Sequence, residues 1–169
     1  MRCRFVTICL ILLLTGCGYG LLSDPEHLPH DIKTLHVALF ENRTTEPYLE
    51  NVVTENVVRR LLRIPELRLQ SSSAEYDAVL SGKINSYYIK ASAYDALDQP
   101  QQYRLNMKIE AQLQRSRDGR ILWRGELLRS AEFLANADLM LQADFERQAQ
   151  QQVAERLAED LSYQIASDF

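Results

Sequence analysis

The chain is poor in the residues that most often carry covalent or metal chemistry. Its 169 residues include three cysteines, three histidines and one tryptophan. Cys3 and Cys9 lie in an N-terminal segment that is expected to be removed on export, which leaves Cys17 as the one thiol of the mature chain. Such a chain can form neither an internal disulfide nor a thiolate metal site, and it suits an oxidising compartment outside the cytoplasm.

Catalytic motifs are lacking as well. The sequence contains no Gly-x-Ser-x-Gly nucleophile elbow and no His-Glu-x-x-His zinc helix. His27 and His30 have no further ligand cluster beside them, whereas zinc typically takes three or four ligands. We therefore expect no enzymatic activity, no metal ion and no bound cofactor.

The chain also lacks a hydrophobic run long enough to cross a bilayer. Arg2 and Arg4 give a positive start, and residues 5–14 are largely apolar, but about ten residues are too few for a hydrocarbon core of roughly 30 Å. An ordinary buried or spanning helix is the alternative. It is disfavoured because Gly18 and Gly20 follow directly and no second apolar segment exists.

The run ends in Leu13-Leu14-Thr15-Gly16-Cys17, which is typical of a bacterial lipoprotein signal. In such a signal the cysteine thiol takes a diacylglycerol, residues 1–16 are removed, and the new amine is acylated. Three acyl chains on Cys17 would hold the protein on a membrane without crossing it. Gly18 stands where an aspartate would favour retention in the inner membrane, so we expect a lipid-anchored protein on the periplasmic side of the outer membrane.

Positive charge is scarce overall but unevenly placed. After the signal the chain has 23 acidic and 17 basic residues, which argues against bulk binding of nucleic acid. Residues 104–129 nevertheless hold seven basic and three acidic residues, whereas residues 132–169 hold two and eight. The sequence is therefore compatible with a local basic surface on an acidic protein.

Two segments are expected after cleavage, a lipidated tether and one folded domain. Residues 17–32 carry glycine, proline and polar residues without clear periodicity, which is typical of a tether. Residues 33–169 would form a single α/β domain of sufficient length to bury a core.

The first half of the domain is predicted to form a strand, a helix and a strand. A strand is expected within residues 33–40, where Leu35, Val37 and Leu39 alternate, and a polar loop follows over residues 41–46. Pro47 suits the first helical position. The helix would bury one apolar face and end near Pro65; that face comprises Leu49, Val52, Val53, Val57, Leu61 and Ile64. Leu67 and Leu69 predict a short strand parallel to the first.

The second half is predicted to form a meander and a helix. A long strand over residues 78–94, with a bulge or bend at Gly82, leads through the loop 95–102 into strictly alternating residues 103–114. A three-residue turn, Arg117-Asp118-Gly119, with Gly119 left-handed, pairs Leu113 with Trp123, Ile109 with Leu127 and Gln112 with Arg124.

A final helix over about residues 138–167 has an apolar stripe at i+4 spacing. The stripe comprises Phe145, Ala149, Val153, Leu157, Leu161 and Ile165, broadened by Ala154 and Ala158. The predicted fold class is α+β, a two-layer α/β sandwich: a mixed β-sheet in the order βαβββα with both helices packed on one face.

Four basic residues are the candidate binding site for lipopolysaccharide or another polyanion. Arg104, Lys108 and Arg124 are expected on the wet face of the last two strands, and Lys90 near them. Guanidinium forks and ammonium charges suit phosphate oxygens. The alternative, which the pattern alone favours, is a solvated edge whose charges discourage aggregation.

Tyrosines gather around the long hairpin. They are Tyr87, Tyr88, Tyr94 and Tyr103. Such residues serve equally well at interfaces and within ordinary strands, so the sequence leaves both interpretations open.

Several segments, taken in order, resemble one known family. They are Cys17-Gly18-Tyr19-Gly20, Leu28-Pro29, Thr34-Leu35-His36-Val37-Ala38-Leu39-Phe40, Glu41-Asn42-Arg43-Thr44, Leu49-Glu50-Asn51-Val52-Val53-Thr54, Tyr76-Asp77-Ala78-Val79-Leu80-Ser81-Gly82-Lys83-Ile84 and Asp118-Gly119-Arg120-Ile121-Leu122-Trp123. This combination is similar to the lipopolysaccharide-assembly lipoproteins (LptE-like). A strand followed by Phe-x-Asn-x-Thr also occurs in curli-secretion lipoproteins and in activators of penicillin-binding proteins.

The resemblance implies a non-enzymatic domain that plugs the lumen of the lipopolysaccharide-assembly β-barrel (LptD-like) and assists assembly of lipopolysaccharide at the outer leaflet. Some family members bind lipopolysaccharide through basic residues near the tip of the central hairpin. Here the loop 95–102 has two acidic residues and no basic one, which leaves Lys90, Arg104 and Lys108 as nearby substitutes.

Two rival functions come from other classes. An outer-membrane lipoprotein that activates a peptidoglycan synthase would need a long reach. The tether of about sixteen residues from Cys17 to the first strand spans at most roughly 55 Å. This short reach favours a partner in the same membrane over a peptidoglycan synthase. A hydrolase of envelope polymers is disfavoured by the missing catalytic motifs.

Overall fold

The computed structural model of the chain describes residues 32–71 and 74–167. The signal, Cys17 and the tether up to residue 31 lie outside the described residues, so their assignments stay predictions. Within the described ranges, no helix is both long enough and apolar enough to cross a membrane.

Six strands and two helices make up the described domain. In chain order they are β1 (Thr34–Val37), β2 (Glu41–Asn42), α1 (Leu49–Leu61), β3 (Arg68–Gln70), β4 (Ala78–Tyr94), β5 (Pro100–Arg115), β6 (Ile121–Leu134) and α2 (Leu139–Ser167). The strands lie in the order β3-β1-β4-β5-β6, and β2 pairs with β4. The predicted α+β class with a mixed sheet is confirmed. The observed order ββαββββα has two strands more than the predicted order βαβββα. The short strand β2 was not predicted, and the predicted order gives two strands to the meander, which has the three strands β4, β5 and β6.

Parallel and antiparallel pairing occupy different parts of the sheet. β1 pairs in parallel with β3 and β4, and β2 in parallel with β4, whereas β4, β5 and β6 form an antiparallel meander. The two helices pack on each other and, through α2, on β5 and β6. One core results, to which strands and helices contribute alternate or i+4 residues. Its largest fully buried side chains are Phe40, Leu35, Leu49, Leu61, Leu80, Ile84, Leu105, Met107, Ile109, Leu113, Leu157 and Leu161.

The first predicted strand is broken. β1 ends at Val37, Leu39 is 62% exposed, and Phe40 is buried instead. Phe40 lies flat against Gly82, where an added Cβ would be 2.1 Å from its ring. Gly82 is therefore needed for this close approach, and the bulge predicted there lies instead between Ile84 and Ser86.

The helix α1 buries most of the predicted face, but it begins later and ends earlier than expected, at Leu61 instead of near Pro65. Val52 is partly buried, and Ile64, also partly buried, follows the helix. Leu49, Val53, Val57 and Leu61 are buried. Pro47 does not open the helix, because Tyr48 adopts a left-handed conformation (φ 65°) before it starts.

The predicted register of the β5–β6 hairpin is confirmed at each of the three pairs. Leu113 lies opposite Trp123, Gln112 opposite Arg124, and Ile109 opposite Leu127. Gly119 is left-handed (φ 69°), as expected. The turn is one residue longer than predicted, since Arg115 N–H donates to the Arg120 carbonyl, and a register shift beside Leu113 absorbs the extra residue.

The helix α2 starts one residue after the predicted position. Asp138 caps it, because its carboxylate accepts hydrogen bonds from Met140 N–H (2.8 Å) and Leu141 N–H (3.4 Å). The predicted apolar stripe is buried, apart from Phe145, which is partly buried.

Candidate functional site

One face of the meander is left uncovered by the helices, and we call it the open face. It is formed by alternate residues of β4, β5 and β6: Ser81, Lys83, Ser86, Tyr88 and Lys90; Gln102, Arg104, Asn106, Lys108, Glu110 and Gln112; and Arg124, Glu126, Leu128, Ser130 and Glu132. All four basic residues of the predicted site lie on it. The alternation of the sequence therefore placed them correctly on a common surface.

Three of the four basic residues are engaged with glutamates. Arg104 donates to Glu132 through Nε (3.0 Å) and Nη2 (2.5 Å). The ammonium of Lys108 lies 2.7 Å from the carboxylate of Glu126. Each of these contacts crosses from β5 to β6, and the partner glutamates were not identified from the sequence.

The third pair joins Arg124 to Glu110, with Arg124 Nε 2.8 Å from the carboxylate. These hydrogen bonds, together with the charge of Arg124, hold the pKa of Glu110 below its usual value. Glu110 and Glu126 lie directly opposite each other, an arrangement that is unfavourable for like charges. The cations on the two diagonals, Arg124 and Lys108, offset this repulsion.

Lys90 differs from the other three basic residues. Its ammonium lies 5.1 Å from the ring centroid of Tyr88, within cation–π range, and residues 32–71 and 74–167 supply no ion pair for it. Arg104 lies directly opposite Lys90. These two residues bring two positive charges together, of which Glu132 neutralises one.

The four residues form a stripe instead of one cluster. Arg104 and Lys108 are four residues apart on β5, and Arg124 pairs with Gln112, four residues further. At about 3.3 Å per residue the stripe is roughly 26 Å long. Only Lys90 and Arg104 are close enough to hold one phosphate together.

The tip of the β4–β5 hairpin is braced by its own aspartate. Asp95 accepts hydrogen bonds from Leu97 N–H (2.8 Å), Gln99 N–H (2.9 Å) and the Gln101 amide (3.1 Å). The bonds from Gln99 and Leu97 hold the pKa of Asp95 below its usual value. Asp95 therefore closes the loop, and its charge is not a free ligand.

The four tyrosines divide between two roles that the sequence left open. Tyr87 and Tyr103 are partly buried against the core; Tyr103 stacks on Phe133 with ring centroids 5.6 Å apart. Tyr88 and Tyr94 are exposed. Only the second pair is available to a partner.

The Asn-x-Thr segment of the resemblance braces a loop. Asn42 Oδ1 accepts hydrogen bonds from the amide and the hydroxyl of Thr44 (3.0 and 2.8 Å). Its amide nitrogen donates to the Glu46 carbonyl (2.7 Å) and to Glu50 (3.0 Å). Both polar groups of Asn42 are satisfied internally, so Asn42 braces the loop that connects β2 to α1.

A second polar centre fastens the start of the domain. Asp77 Oδ2 accepts hydrogen bonds from Lys33 N–H (2.9 Å), Thr34 N–H (2.8 Å) and the Thr34 hydroxyl (2.8 Å). Burial by itself would raise the pKa of Asp77, but these hydrogen bonds outweigh it and lower the pKa. Ile32, at the end of the predicted tether, is already buried. Sequence reasoning did not single out Asp77.

The histidine in the described ranges has a structural role. His36 Nδ1 lies 3.1 Å from the Gln70 carbonyl, and its ring stacks on Tyr76 at 5.1 Å. The described residues contain no group of three or more potential metal ligands. His27 and His30 lie outside the described residues.

Comparisons with known proteins agree with this fold. The sequence profile of one family, LptE (lipopolysaccharide-assembly), matches residues 32–168. A comparison with curated proteins finds no match. Solved structures with the same fold include a PelC dodecamer from Paraburkholderia phytofirmans (16% identity, TM-score 0.57, covering 86% of this chain and 96% of that one).

Two further structures are lipoproteins. They are a minor lipoprotein from Acinetobacter baumannii (15% identity, TM-score 0.51, 83% of this chain and 95% of that one) and lipoprotein B from Nitrosomonas europaea (12% identity, TM-score 0.53, 88% and 90%). At these identities the similarity establishes the fold alone.

Proposed function

Because this chain belongs to the lipopolysaccharide-assembly (LptE) family, we propose that it docks inside the outer-membrane β-barrel that inserts lipopolysaccharide. In this role it acts without catalysis, held to the periplasmic leaflet by the lipid on Cys17, and it assists assembly at the outer leaflet. The match over residues 32–168 is the observation that carries the proposal, because it spans nearly the whole described domain.

The dimensions of the meander support a role inside a barrel. The chain enters the domain beside Asp77, at the start of β4, and the hairpin tip lies at the far end of this 17-residue strand. At about 3.3 Å per residue β4 is roughly 56 Å long, more than the hydrocarbon thickness of a bilayer, about 30 Å. A domain anchored at its base could therefore present its tip near the opposite side of the membrane.

The open face also suits a lumen wall. Arg104, Lys108 and Arg124 are paired with glutamates within the domain, so this part of the surface can lie against polar barrel residues without leaving those charges unpaired. A face whose charges are mostly paired requires no ligand. Plugging therefore depends less on individual cations than capture of lipopolysaccharide would.

For direct contact with lipopolysaccharide, we propose the stripe of Lys90, Arg104, Lys108 and Arg124, with Lys90 and Arg104 as its main phosphate contact. Lys90 has its ammonium over Tyr88 and not on a carboxylate. A phosphate placed there would gain the ammonium of Lys90 directly, and the guanidinium fork of Arg104 in exchange for Glu132. Arg104, Lys108 and Arg124 would each first have to release a glutamate, whereas Lys90 would not.

Co-purification of the full chain from its native membranes in detergent tests the docking. We expect a large β-barrel protein in one-to-one ratio, and depletion of the chain should lower both barrel yield and surface lipopolysaccharide. A synthase in place of the barrel would support the peptidoglycan alternative. Normal barrel yield and normal surface lipopolysaccharide after depletion would contradict the proposal.

Lipopolysaccharide capture is tested separately with neutral variants. Charge reversal at Arg104, Lys108 and Arg124 would place new carboxylates beside Glu132, Glu126 and Glu110, so substitution by glutamine is the cleaner change. We expect Lys90→Gln with Arg104→Gln to weaken capture several-fold, and Lys108→Gln with Arg124→Gln, the matched control, to weaken it less. Equal capture by both folded double variants and by the wild type would remove the stripe from the proposal.

A further inference from the structure

The outer edge of β6 is long and unprotected. β6 is the last strand of the sheet, and within the described residues no other strand pairs with that edge. It runs over 14 residues without lysine or proline. The opposite edge, β3, has three residues. Soluble proteins usually shorten or shield such edges, because the free N–H and C=O groups recruit another strand.

The even-numbered residues of β6 direct their backbone groups to that edge. Ala135 N–H donates to the Gln101 carbonyl of β5, so in an antiparallel ladder the odd residues of β6 bond to β5. The carbonyls of Leu128 and Ser130 accept hydrogen bonds from the side chains of Arg129 (2.9 Å) and Arg156 (3.0 Å). Both facts leave alternate N–H and C=O groups from Arg124 to Leu134 facing outward.

The sequence of β6 is complementary to itself when it is reversed. If two copies pair antiparallel about Leu128, Leu128 meets its own counterpart, Arg124 meets Glu132, and Glu126 meets Ser130. Every one of these residues is even-numbered, so each pair can exchange backbone hydrogen bonds through the free edge. The two symmetry-related pairs of Arg124 with Glu132 and the contact between the two Leu128 side chains therefore form in one register.

Neighbouring registers do not match. A shift of two residues in one direction opposes Glu126 to Glu132, and a shift in the other direction opposes Glu126 to Leu128 and separates Arg124 from Glu132. A shift of one residue would turn the open face of one copy against the core face of the other. The register centred on Leu128 is therefore singled out by charge and by side-chain direction together.

The same register covers an apolar residue that β6 exposes. Leu128 is 52% exposed, and the two copies of its side chain would meet at the centre of the contact. Pairing thus removes apolar surface from water as well as adding backbone hydrogen bonds.

We propose that β6 is a docking edge for a second copy of this chain, joined antiparallel through a two-fold axis at Leu128. Arg156 must release the Ser130 carbonyl, and Arg129 that of Leu128, for the ladder to close. Such a C2 contact is self-limiting, because it uses the free edge of both partners. It concerns copies that are not docked in a barrel, because a docked copy is expected in one-to-one ratio with the barrel.

A pair of complementary variants tests the proposal. In a dimer of Arg124→Glu, the new glutamate of each copy lies opposite Glu132 of the other copy. In a dimer of Glu132→Arg, the new arginine of each copy lies opposite Arg124 of the other copy. Each variant alone should dimerise at least about tenfold more weakly than the wild type. In a mixture, the new glutamate of one chain meets the new arginine of the other, and the remaining pair is wild-type Arg124 with Glu132, so a heterodimer should form.

Native mass spectrometry of the full chain in detergent distinguishes these species by mass. Any sharing of micelles through the lipid is the same for all variants, so a difference between them reports on β6. We expect wild-type dimer, monomeric single variants and recovered heterodimer. A wild type that stays monomeric, or single variants that dimerise like the wild type, or a mixture without heterodimer although both variants are folded, would overturn the proposal.

Discussion

The two faces of the β4–β6 meander are built from the same strands but are stabilised in different ways. The core face buries aliphatic side chains such as Leu105, Ile109 and Leu113 to zero exposure. The open face carries three ion pairs between half-exposed side chains. Burial of apolar area stabilises by about 25 cal/mol per Å², whereas exposed ion pairs contribute little. The core face therefore determines the fold, and the open face is available for contact with other molecules.

The largest effect is expected on the core face, at the contact between Gly82 and Phe40. A Cβ at position 82 would be 2.1 Å from the ring, so Gly82→Ala should lower the free energy of unfolding by about 2–3 kcal/mol through overpacking. In an ordinary strand the same change is mildly favourable. Urea unfolding monitored by circular dichroism measures the difference, with Ser81→Ala as the control on the open face.

A double-mutant cycle identifies the cause. If the ring is responsible, Phe40→Leu combined with Gly82→Ala should be less destabilised than the sum of the two single changes, with a coupling of about 0.5–3 kcal/mol. Strictly additive losses would mean that Gly82 is required for some reason other than the Phe40 ring.

The next effect concerns the base of the meander, where Asp77 holds the backbone of residues 33 and 34. Asp77→Ala leaves these donors without their acceptor and should lower the free energy of unfolding by about 1–3 kcal/mol at neutral pH. The folded-state pKa of Asp77 is depressed, so its contribution is present above the unfolded value, about 3.9, and is lost as the pH falls through the folded value. Unfolding of wild type and variant should therefore converge in acid; a constant difference down to pH 2 would contradict this mechanism.

A smaller effect is expected at Tyr87, which brings a hydroxyl group to the core face. Its hydroxyl lies 3.0 Å from Glu146 and accepts a hydrogen bond from Gln150 (2.8 Å). Tyr87→Phe should lower the free energy of unfolding by about 1 kcal/mol. Burial, and next the carboxylate of Glu146, raise the pKa of Tyr87, so the folded state favours the neutral phenol.

That stabilisation is present below the unfolded pKa, about 10, and is lost as the pH rises above it. Stability measured against pH should thus fall more steeply in alkali for the wild type than for Tyr87→Phe. Parallel profiles would show that the phenol is not protected in the folded state.

How far the sequence predicted this structure also differs between the two faces. The register of β5 and β6 and the stripe of α2 followed from periodicity, because one-residue slips would expose Leu113 or bury Arg124. The same alternation placed the four basic residues on one face. It did not supply their partners, since which glutamate an arginine engages depends on diagonal geometry across strands.

Contacts distant in sequence were missed for a related reason. Asp77 bonds residues 43 and 44 positions away, and Phe40 packs on Gly82 only because β1 breaks after Val37. Propensity rules describe neighbours along the chain and contain no term for such contacts. The residue types were visible in the sequence, but their roles were set by topology.

The smallest effect is expected on the open face itself, where Arg104→Gln removes the partner of Glu132. Because both side chains are about half exposed, we expect a loss of less than about 1 kcal/mol of unfolding free energy. Arg124→Gln should cost similarly little, although it also leaves Glu110 and Glu126 facing each other with one cation fewer. The two effects should both decrease in high salt, since screening weakens exposed pairs. If Arg104→Gln instead destabilised the domain as much as Gly82→Ala, the open face would be part of the folding core, and its charges could not be reserved for a partner.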